Sequence, residues 1–356
     1  MGRLRGLSPP LRYLAYFAVA LLVLVVAVGV GATASLLFGG RPEWLTSDPG
    51  ATEGTMSSAQ QIAEAVTPEI DEASIREHLS HLTGASPAPL EGGATTIAER
   101  ESWEGRLAAA RYMEQSFEEM GLPARILEFT SEEGSGYNVE ATLHGSGGEK
   151  HLWVTAHLDS VVGTAGANDN ASGLTLLLMT ARVLKHLELK HTVHFVAYDL
   201  EERGLVGSRD YVSTVVDSVQ EQEGRNDIIG NINADMVGYE ENEWNAFIET
   251  CDLSGSLDEA LTQAAKAIDP PVALGEGCPE GLAGRSDQVS FREAGLPAVF
   301  LIDGTKADNY PCYHERCDTM DKLNVAYLQA MIRIVATASA LLAHSAEADS
   351  EENART

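Results

Sequence analysis

Lysine is scarce in this chain of 356 residues. It has six lysines, and lysine and arginine together number 24, against 53 aspartate and glutamate residues. The formal net charge at pH 7 is −29, and without the first 38 residues, which hold three arginines and no acid, it is −32. So acidic a chain repels phosphate backbones, which argues against a nucleic-acid-binding protein. The composition is typical of an acidic exported enzyme or of a protein kept soluble in concentrated salt.

Cysteine is also rare, with four residues in all: Cys251, Cys278, Cys312 and Cys317. The last two are separated by four residues, and no second C-x-x-C pair completes a structural zinc site. In an oxidising compartment the four allow three disulfide connectivities, of which 251–278 with 312–317 is the most local.

Charge is absent from Tyr13–Phe38. As a helix this segment would be about 39 Å long, enough to cross a hydrocarbon core of roughly 30 Å. Three arginines precede it and no acid occurs before Glu43, so the positive-inside rule predicts a cytoplasmic N-terminus and an exported remainder. We interpret residues 1–38 as a cytoplasmic stub and membrane anchor. The alternative is a signal peptide cleaved near Ala32–Ala34 and a secreted protein.

The rest of the chain predicts one α/β domain. Residues 39–67 have the composition of a flexible linker, 68–344 the pattern of a folded domain, and 345–356 that of a disordered acidic tail. Strand-like runs alternate with amphipathic helices, which predicts a mostly parallel sheet covered by helices. The predicted strands are Ala124–Phe129, Tyr137–Leu143, His151–Ala156, Thr192–Tyr198, Ile228–Ala234, Trp244–Glu249 and Ala298–Ile302. The predicted helices are Glu69–Leu82, Glu101–Met120, one from Ser172, Leu205–Val215, Ser256–Ile268 and Lys322–His344.

Acidic and imidazole groups stand where the apolar runs end. In open α/β sheets the ligand crevice lies at the carboxyl ends of the strands, so such residues converge there. Histidines and carboxylates together are typical of zinc ligands. The six groups are His157, Asp169, Glu201, Glu202, Asp235 and His314.

Two of the local motifs suggest roles. In His157-Leu158-Asp159, the carboxylate of Asp159 can hold one imidazole nitrogen while the other binds metal, although a core histidine beside a turn is the simpler reading of the motif alone. Asp169 opens a helix in the segment GANDNASG. An N-cap is the plain interpretation, but Asn170 or Ser172 can cap equally well, which leaves Asp169 free to bridge two metals.

Glu201 and Glu202 are adjacent carboxylates just past a buried strand. Like charges repel and burial penalises both, so such a pair is costly for structure alone. One metal ligand and one general base remove this objection. A solvated acidic turn before Gly204 is the alternative.

The motifs HLDS, NDNASG, DLEERGLVGS, NADMVGY, GRSDQVSF and YHERCDT make the chain resemble the co-catalytic zinc aminopeptidases of metallopeptidase family 28. The resemblance extends from about Ala73 to His344. It implies a single α/β domain with a mixed, mostly parallel sheet. One departure is Gln288, where many relatives have histidine or an aromatic residue.

The resemblance also implies roles for individual residues. Asp169 would bridge two Zn²⁺ ions, with His157 and Asp235 completing one site and Glu202 and His314 the other. Glu201 would be the general base, Asp159 would support His157, and Tyr313 would stabilise the oxyanion.

An acidic site mouth favours peptides with a free N-terminus, because a carboxypeptidase needs a cationic clamp and only Arg285 and Arg292 stand near a plausible rim. Two alternatives remain open. A glutaminyl cyclase of the same superfamily would use one zinc, with ligands overlapping Asp169, Glu202 and His314. A peptidase-like ectodomain that only binds its partner would lack activity. The sequence gives no oligomeric state.

Overall fold

The computed structural model describes residues 57–224, 227–240, 244–251, 253–279, 284–304 and 310–344. By their contacts these residues form one unit. The predicted membrane anchor in residues 1–38, the linker up to residue 56 and the acidic tail 345–356 lie outside the described residues.

A mixed sheet of eight strands forms the centre of the described unit, in the order β3-β4-β6-β5-β7-β10-β8-β9. The pairs β6-β5, β5-β7, β7-β10 and β8-β9 are parallel, and the other three are antiparallel. Their bounds are β3 Ala124–Thr130, β4 Ser135–Leu143, β5 His151–His157, β6 Thr192–Tyr198, β7 Ile228–Ala234, β8 Asn245–Glu249, β9 Ala273–Gly277 and β10 Ala298–Asp303. A small hairpin of β1 (Ala88–Leu90) and β2 (Gly93–Thr95) lies apart from this sheet. The predicted α/β fold is confirmed.

Helices cover both faces of the sheet. Successive side chains of a strand point to opposite faces, and Leu152–His157 of β5 and all of β10 are buried, so both faces are shielded from water. The helices are α1 Ser58–Val66, α2 Glu72–Leu82, α3 Trp103–Glu119, α4 Gly173–Leu184, α5 Val206–Tyr211, α6 Asp217–Glu223, α7 Ser256–Ala267, α8 Gln288–Glu293 and α9 Val325–His344.

Capping residues set the starts of the first helices. The side chain of Ser102 accepts the backbone N–H of Gly105 at the start of α3, and Asp71 accepts that of Ser74 at the start of α2. Both helices therefore begin two or three residues after their predicted first residues.

The predicted linker 39–67 extends too far, because α1 occupies its last part. A capping box between Ser57 and Gln60 begins this helix, and Ile62 and Val66 are buried. The segment has few large apolar residues and so looked like a spacer, whereas its last part packs as α1 against α9.

Helix α9 is long and apolar enough to cross a membrane by length and composition alone. Most of its side chains are buried, and it packs against α1, α4 and α7. These contacts are those of a core helix.

Candidate metal centre

The predicted site residues gather at the carboxyl ends of three adjacent strands. His157 is the last residue of β5, Asp235 directly follows β7, and Glu201 and Glu202 come in the turn after β6. Strands β6, β5 and β7 are parallel neighbours, so their carboxyl ends share one edge of the sheet. The structure thus brings together residues that are far apart in sequence.

Asp169 lies between the two histidines. Its Oδ1 is 3.0 Å from His157 Nε2, and its Oδ2 is 3.2 Å from His314 Nε2. His157 Nε2 is also 3.3 Å from Asp235 Oδ1, and His314 Nε2 is 3.1 Å from Glu202 Oε2. The five side chains therefore form two groups of three that share Asp169.

The donor set and its spacing fit zinc. Each group offers one imidazole nitrogen and two carboxylate oxygens, all within 4.8 Å of one another. Two ligands at about 2.0–2.1 Å from one tetrahedral ion lie roughly 3.3 Å apart, close to the nitrogen–oxygen distances above. Within the described residues, Glu202 Oε1 and Asp235 Oδ1 are buried without a hydrogen-bond donor. A cation held by each group would compensate the buried carboxylate of that group.

The charges of the site are strongly coupled. Burial lowers the pKa of His157, but Asp235, Asp159 and Asp169 outweigh burial and hold this pKa well above its ordinary value. Hydrogen bonds to Asp169 and Glu202 raise the pKa of His314 to about 10. Burial raises the pKa of Asp169, but the two histidines outweigh burial and lower it. The carboxylates thus favour a positive charge between them, whether on a protonated histidine or on a bound metal ion.

Asp159 connects the ends of β5 and β6. Its Oδ1 faces His157 Nδ1 at 3.4 Å, which is longer than a hydrogen bond. Its two oxygens accept the backbone N–H groups of Glu201 at 3.1 Å and Glu202 at 3.2 Å. One carboxylate therefore faces the imidazole and fixes the turn that carries both glutamates.

The two glutamates have different neighbours. Glu202 belongs to the group with Asp169 and His314, whereas Glu201 joins only a group with Glu202 and His157. Burial raises the pKa of Glu201 well above its ordinary value, with Asp287 and Asp235 adding to the effect. Burial also raises the pKa of Glu202 to about 7, with Asp169 as the next cause.

The segment that carries Asp169 is held by a carboxylate that the sequence analysis missed. Asp318 accepts the backbone N–H groups of Asn168 at 2.8 Å and Asp169 at 3.1 Å, and the hydroxyl of Tyr310 at 2.8 Å. Asp318 lies four residues after His314 in the motif YHERCDT, and this position in the motif could have marked it as part of the site. Asn170 accepts the N–H of Gly173 at the start of α4, so Asp169 is not needed as the cap.

A disulfide encloses the loop that presents His314. Cys312 pairs with Cys317 and Cys251 with Cys278, which is the most local of the three connectivities. The ring of Tyr313 stacks on His314, with centroids 3.8 Å apart. The side chain of His314 is 38% exposed. The loop therefore forms one wall of the entrance to the metal centre.

The metal centre opens into a cleft of about 320 Å³. Its acidic floor includes Glu201 and Asp235, and the apolar residues on its walls are Leu205, Met236, Phe300, Ile302 and Tyr313. Arg285 also lines it, as predicted for the rim. Arg292 does not: its guanidinium pairs with the buried Glu249 at 2.6 Å.

Sequence comparison matches residues 138–339 to the family described as Peptidase family M28. Leupeptin-inactivating enzyme 1 of Streptomyces exfoliatus is 27% identical over 293 residues, which cover 77% of this chain and 63% of that protein. Aminopeptidase YwaD of Bacillus subtilis (strain 168) is 34% identical over 183 residues, which cover 50% of this chain and 38% of that protein. The chain thus spans less than two thirds of the length of these relatives.

Solved structures share the fold. BSAP, a zinc aminopeptidase from Bacillus subtilis, matches with a TM-score of 0.64 at 18% identity, covering 76% of this chain and 94% of that one. The glutaminyl cyclase of Fimbriiglobus ruber matches with a TM-score of 0.62 at 19% identity, covering 76% of this chain and 94% of that one. The fold alone does not separate the two activities.

Proposed function

Because the chain belongs to peptidase family M28, we propose that it is a zinc-dependent aminopeptidase that removes N-terminal residues from peptides. The observation that carries this proposal is the position of Asp169, whose two oxygens face two different histidines. One carboxylate shared by two donor groups is suited to two metal ions held side by side.

We propose two Zn²⁺ ions per chain. His157 and Asp235 would hold one and Glu202 and His314 the other, with Asp169 shared. When bound, the ions lower the pKa of a water molecule and polarise the scissile carbonyl. The protein fixes the ligands through Asp159, which faces His157, and through Asp318, which holds the backbone at Asp169.

Glu201 is proposed as the general base. It lines the cleft, and Asp159 holds its backbone N–H. Its carboxylate would take a proton from the attacking water and return it to the leaving amine. Tyr313 lines the same cleft, and its hydroxyl would donate a hydrogen bond to the carbonyl oxygen as negative charge develops there.

The charge of the cleft favours a substrate with a free α-amino group. Carboxylates form the floor, and Arg285 is the one guanidinium among its described lining residues. With Arg292 paired to Glu249, the described lining residues offer no two-arginine clamp for a C-terminal carboxylate. The apolar wall, which includes Met236 and Phe300, would accept an apolar first side chain.

We also propose that Tyr13–Phe38 anchors the chain and that the peptidase domain faces the outside of the cell. The uncharged segment behind three arginines supports this, and two disulfides suit an oxidising compartment. Protease added to intact cells should then degrade the domain, while the chain should resist extraction from membranes by salt or alkali. A mature soluble form that begins near Ser35 would establish secretion instead.

A glutaminyl cyclase is the second candidate, favoured by the matching fold of the Fimbriiglobus ruber structure. Such an enzyme would use Asp169, Glu202 and His314 for one zinc. The separate group of His157 and Asp235 then has no assigned role, which favours the peptidase.

The test is to purify the full chain in detergent and assay aminoacyl-nitroanilides together with a peptide that begins with glutamine. Release of nitroaniline that chelators abolish and zinc restores supports the peptidase. Pyroglutamate formation with one zinc per chain supports the cyclase, and inactivity toward the whole panel supports a binding ectodomain.

A further inference from the structure

Arg100 is a completely buried arginine beside the metal centre. Its guanidinium makes four hydrogen bonds, all to backbone carbonyl oxygens. Nε donates to Leu158 at 2.8 Å, Nη1 to Leu82 at 2.7 Å and Ala165 at 2.8 Å, and Nη2 to Gly166 at 2.9 Å. The planar guanidinium therefore bonds only to backbone, and it holds the main chain at these four residues in place.

Three of these carbonyls belong to the loop that joins β5 to α4. Leu158 lies between His157 and Asp159, and Gly166 comes three residues before Asp169. The main chain of Arg100 adds two more contacts to this loop, since its N–H donates to Ser160 Oγ at 3.0 Å and its C=O accepts the N–H of Ser160 at 3.2 Å. One residue therefore fixes both ends of the loop that carries a proposed ligand at each end.

Gly166 shows how closely the loop is fitted to the guanidinium. Its φ is 58°, and a Cβ atom there would lie 2.8 Å from Arg100 Nη2 and 2.4 Å from the carbonyl oxygen of Asp169. The Gly166 carbonyl also accepts the N–H of Ala171 at 3.0 Å. The approach of the loop to Arg100 and the conformation of the Asp169 segment thus depend on the same glycine.

The positive charge of Arg100 also interacts with the carboxylates of the metal centre. None of the ion pairs between described residues includes it, although a buried cation without compensation is costly. Burial lowers the pKa of Arg100, while Asp318, Asp169 and Asp159 oppose this effect. An arginine side chain stays charged at neutral pH. Its positive charge therefore lies where carboxylates converge and reduces their mutual repulsion.

We infer that Arg100 is a positioning residue of the metal centre, which sets the zinc affinity by holding the loop between His157 and Asp169. This inference rests on the proposed zinc function. Arg100 reaches no substrate and no proposed ligand side chain, and it acts through the backbone at Leu158, Ala165 and Gly166.

The test measures the zinc dissociation constant of the full chain by competition with a chromophoric chelator. Arg100→Lys keeps the charge but cannot reproduce the planar fork, so zinc binding should weaken by about 10- to 100-fold, the range typical for groups that orient metal ligands. Hydrogen exchange should rise at residues 158–172 more than elsewhere. Arg100→Met removes all four guanidinium hydrogen bonds and should raise hydrogen exchange in this loop further.

Arg292→Lys is the matched control. Arg292 is also largely buried and donates to carbonyl oxygens, at Glu249 and Ala298, but it touches no proposed ligand. This variant should lower the Tm and leave zinc affinity within about twofold of wild type. A merely structural role for Arg100 predicts the same pattern for Arg100→Lys, and that result would overturn the inference.

A milder variant covers the case in which Arg100→Lys does not fold. Ser160→Ala removes only the acceptor of the Arg100 N–H, and it should weaken zinc binding by a few fold; unchanged affinity would contradict the inference. The ratio of variant to wild type tests the role of Arg100, whereas the wild-type value tests the proposed function. A wild-type chain that binds no zinc would overturn both.

Discussion

Two buried clusters of this protein contain histidines and carboxylates, but they differ in whether the carboxylate oxygens have hydrogen-bond partners. Around Glu140, in the middle of β4, every charge has a partner. Arg125 donates to Glu140 Oε2 at 2.6 and 2.8 Å, Tyr211 donates to Oε1 at 2.7 Å, and His194 Nδ1 lies 3.1 Å from the same oxygen. At the metal centre, by contrast, buried oxygens of Glu202 and Asp235 have no hydrogen-bond donor among the described residues.

The difference separates a structural cluster from a functional one. Most buried polar groups in stable cores are hydrogen-bonded, and a carboxylate oxygen without a partner inside a cluster of histidines and carboxylates fits a bound cation. Burial tends to raise the pKa of Glu140, but His194, Tyr211 and Arg125 outweigh it and lower this pKa to about 2. At Glu202 the effect of burial exceeds that of the nearby histidines, and the pKa is raised to about 7. The Glu140 cluster is therefore complete in itself, and the metal centre is not.

The largest effect should come from the proposed base. Glu201→Gln keeps the size of the side chain but cannot accept a proton, so turnover should fall by about 10²–10⁴-fold, the range typical of a lost general base. Folding and zinc content should stay at the wild-type level, as measured by circular dichroism and metal analysis.

Glu202→Gln is the matched variant for this prediction, since an amide is a poorer zinc ligand than a carboxylate. It should lose zinc as well as turnover. If Glu201→Gln loses zinc while Glu202→Gln retains it, the two roles are reversed, and full activity of Glu201→Gln shows that another group is the base.

A smaller effect is expected on metal affinity at the two aspartates. Asp169→Asn removes a carboxylate that faces both histidines, so both zinc ions should bind more weakly, by at least about 10-fold. Asp159→Asn should weaken zinc binding less, because Asp159 is not a proposed ligand and acts only beside His157 and through the backbone of the turn that carries Glu202. Equilibrium dialysis with metal analysis distinguishes these outcomes, and full zinc content of Asp169→Asn would exclude a bridging role.

The Glu140 cluster should respond in stability and not in zinc binding. Glu140→Gln loses charge-assisted hydrogen bonds to Arg125, so the free energy of unfolding should fall by roughly 1.5–3 kcal/mol in a urea titration. The exposed Glu118→Gln is the control and should change stability by less than about 0.5 kcal/mol. Loss of zinc from Glu140→Gln would show that the Glu140 cluster also supports the metal centre and is not purely structural.

The last expected effect is a pH dependence of stability. The pKa of Glu140 is about 2 in the folded chain and about 4.3 in an unfolded one. Its contribution to stability is therefore fully present above about pH 5 and is lost as the pH falls toward 2. Urea midpoints of the zinc-free chain should decrease less steeply over this window in Glu140→Gln than in wild type, and equal slopes would show that Glu140 does not carry this pH dependence.

The sequence was most informative where a strand ends. His157 and Asp235 could be assigned to the edge of the sheet because each directly follows an apolar run, and the alternation of strands and helices predicted the α/β fold. The polar residues in the interiors of strands, such as Glu140 and His194, gave no such signal, since their partners come from three other elements. Strand β9 was missed because its sequence, ALGEG, lacks β-branched and aromatic residues.

Arg100 shows a second limit of sequence analysis. It is one of several arginines near the start of α3, and nothing local distinguishes it from Arg106 or Arg111. Its hydrogen bonds to Leu158 and Gly166 span 58 and 66 residues. Such contacts depend on how the loop after β5 comes to lie beside Arg100 and the end of α2, which no pattern of hydrophobicity or spacing encodes.

The number of zinc ions per chain tests the central claim most directly. The claim is that Asp169 joins two donor groups, one with His157 and Asp235 and one with Glu202 and His314. Mass spectrometric metal analysis of the full chain, dialysed against buffered zinc, should give two zinc ions per chain. One zinc or none at saturation would contradict the account.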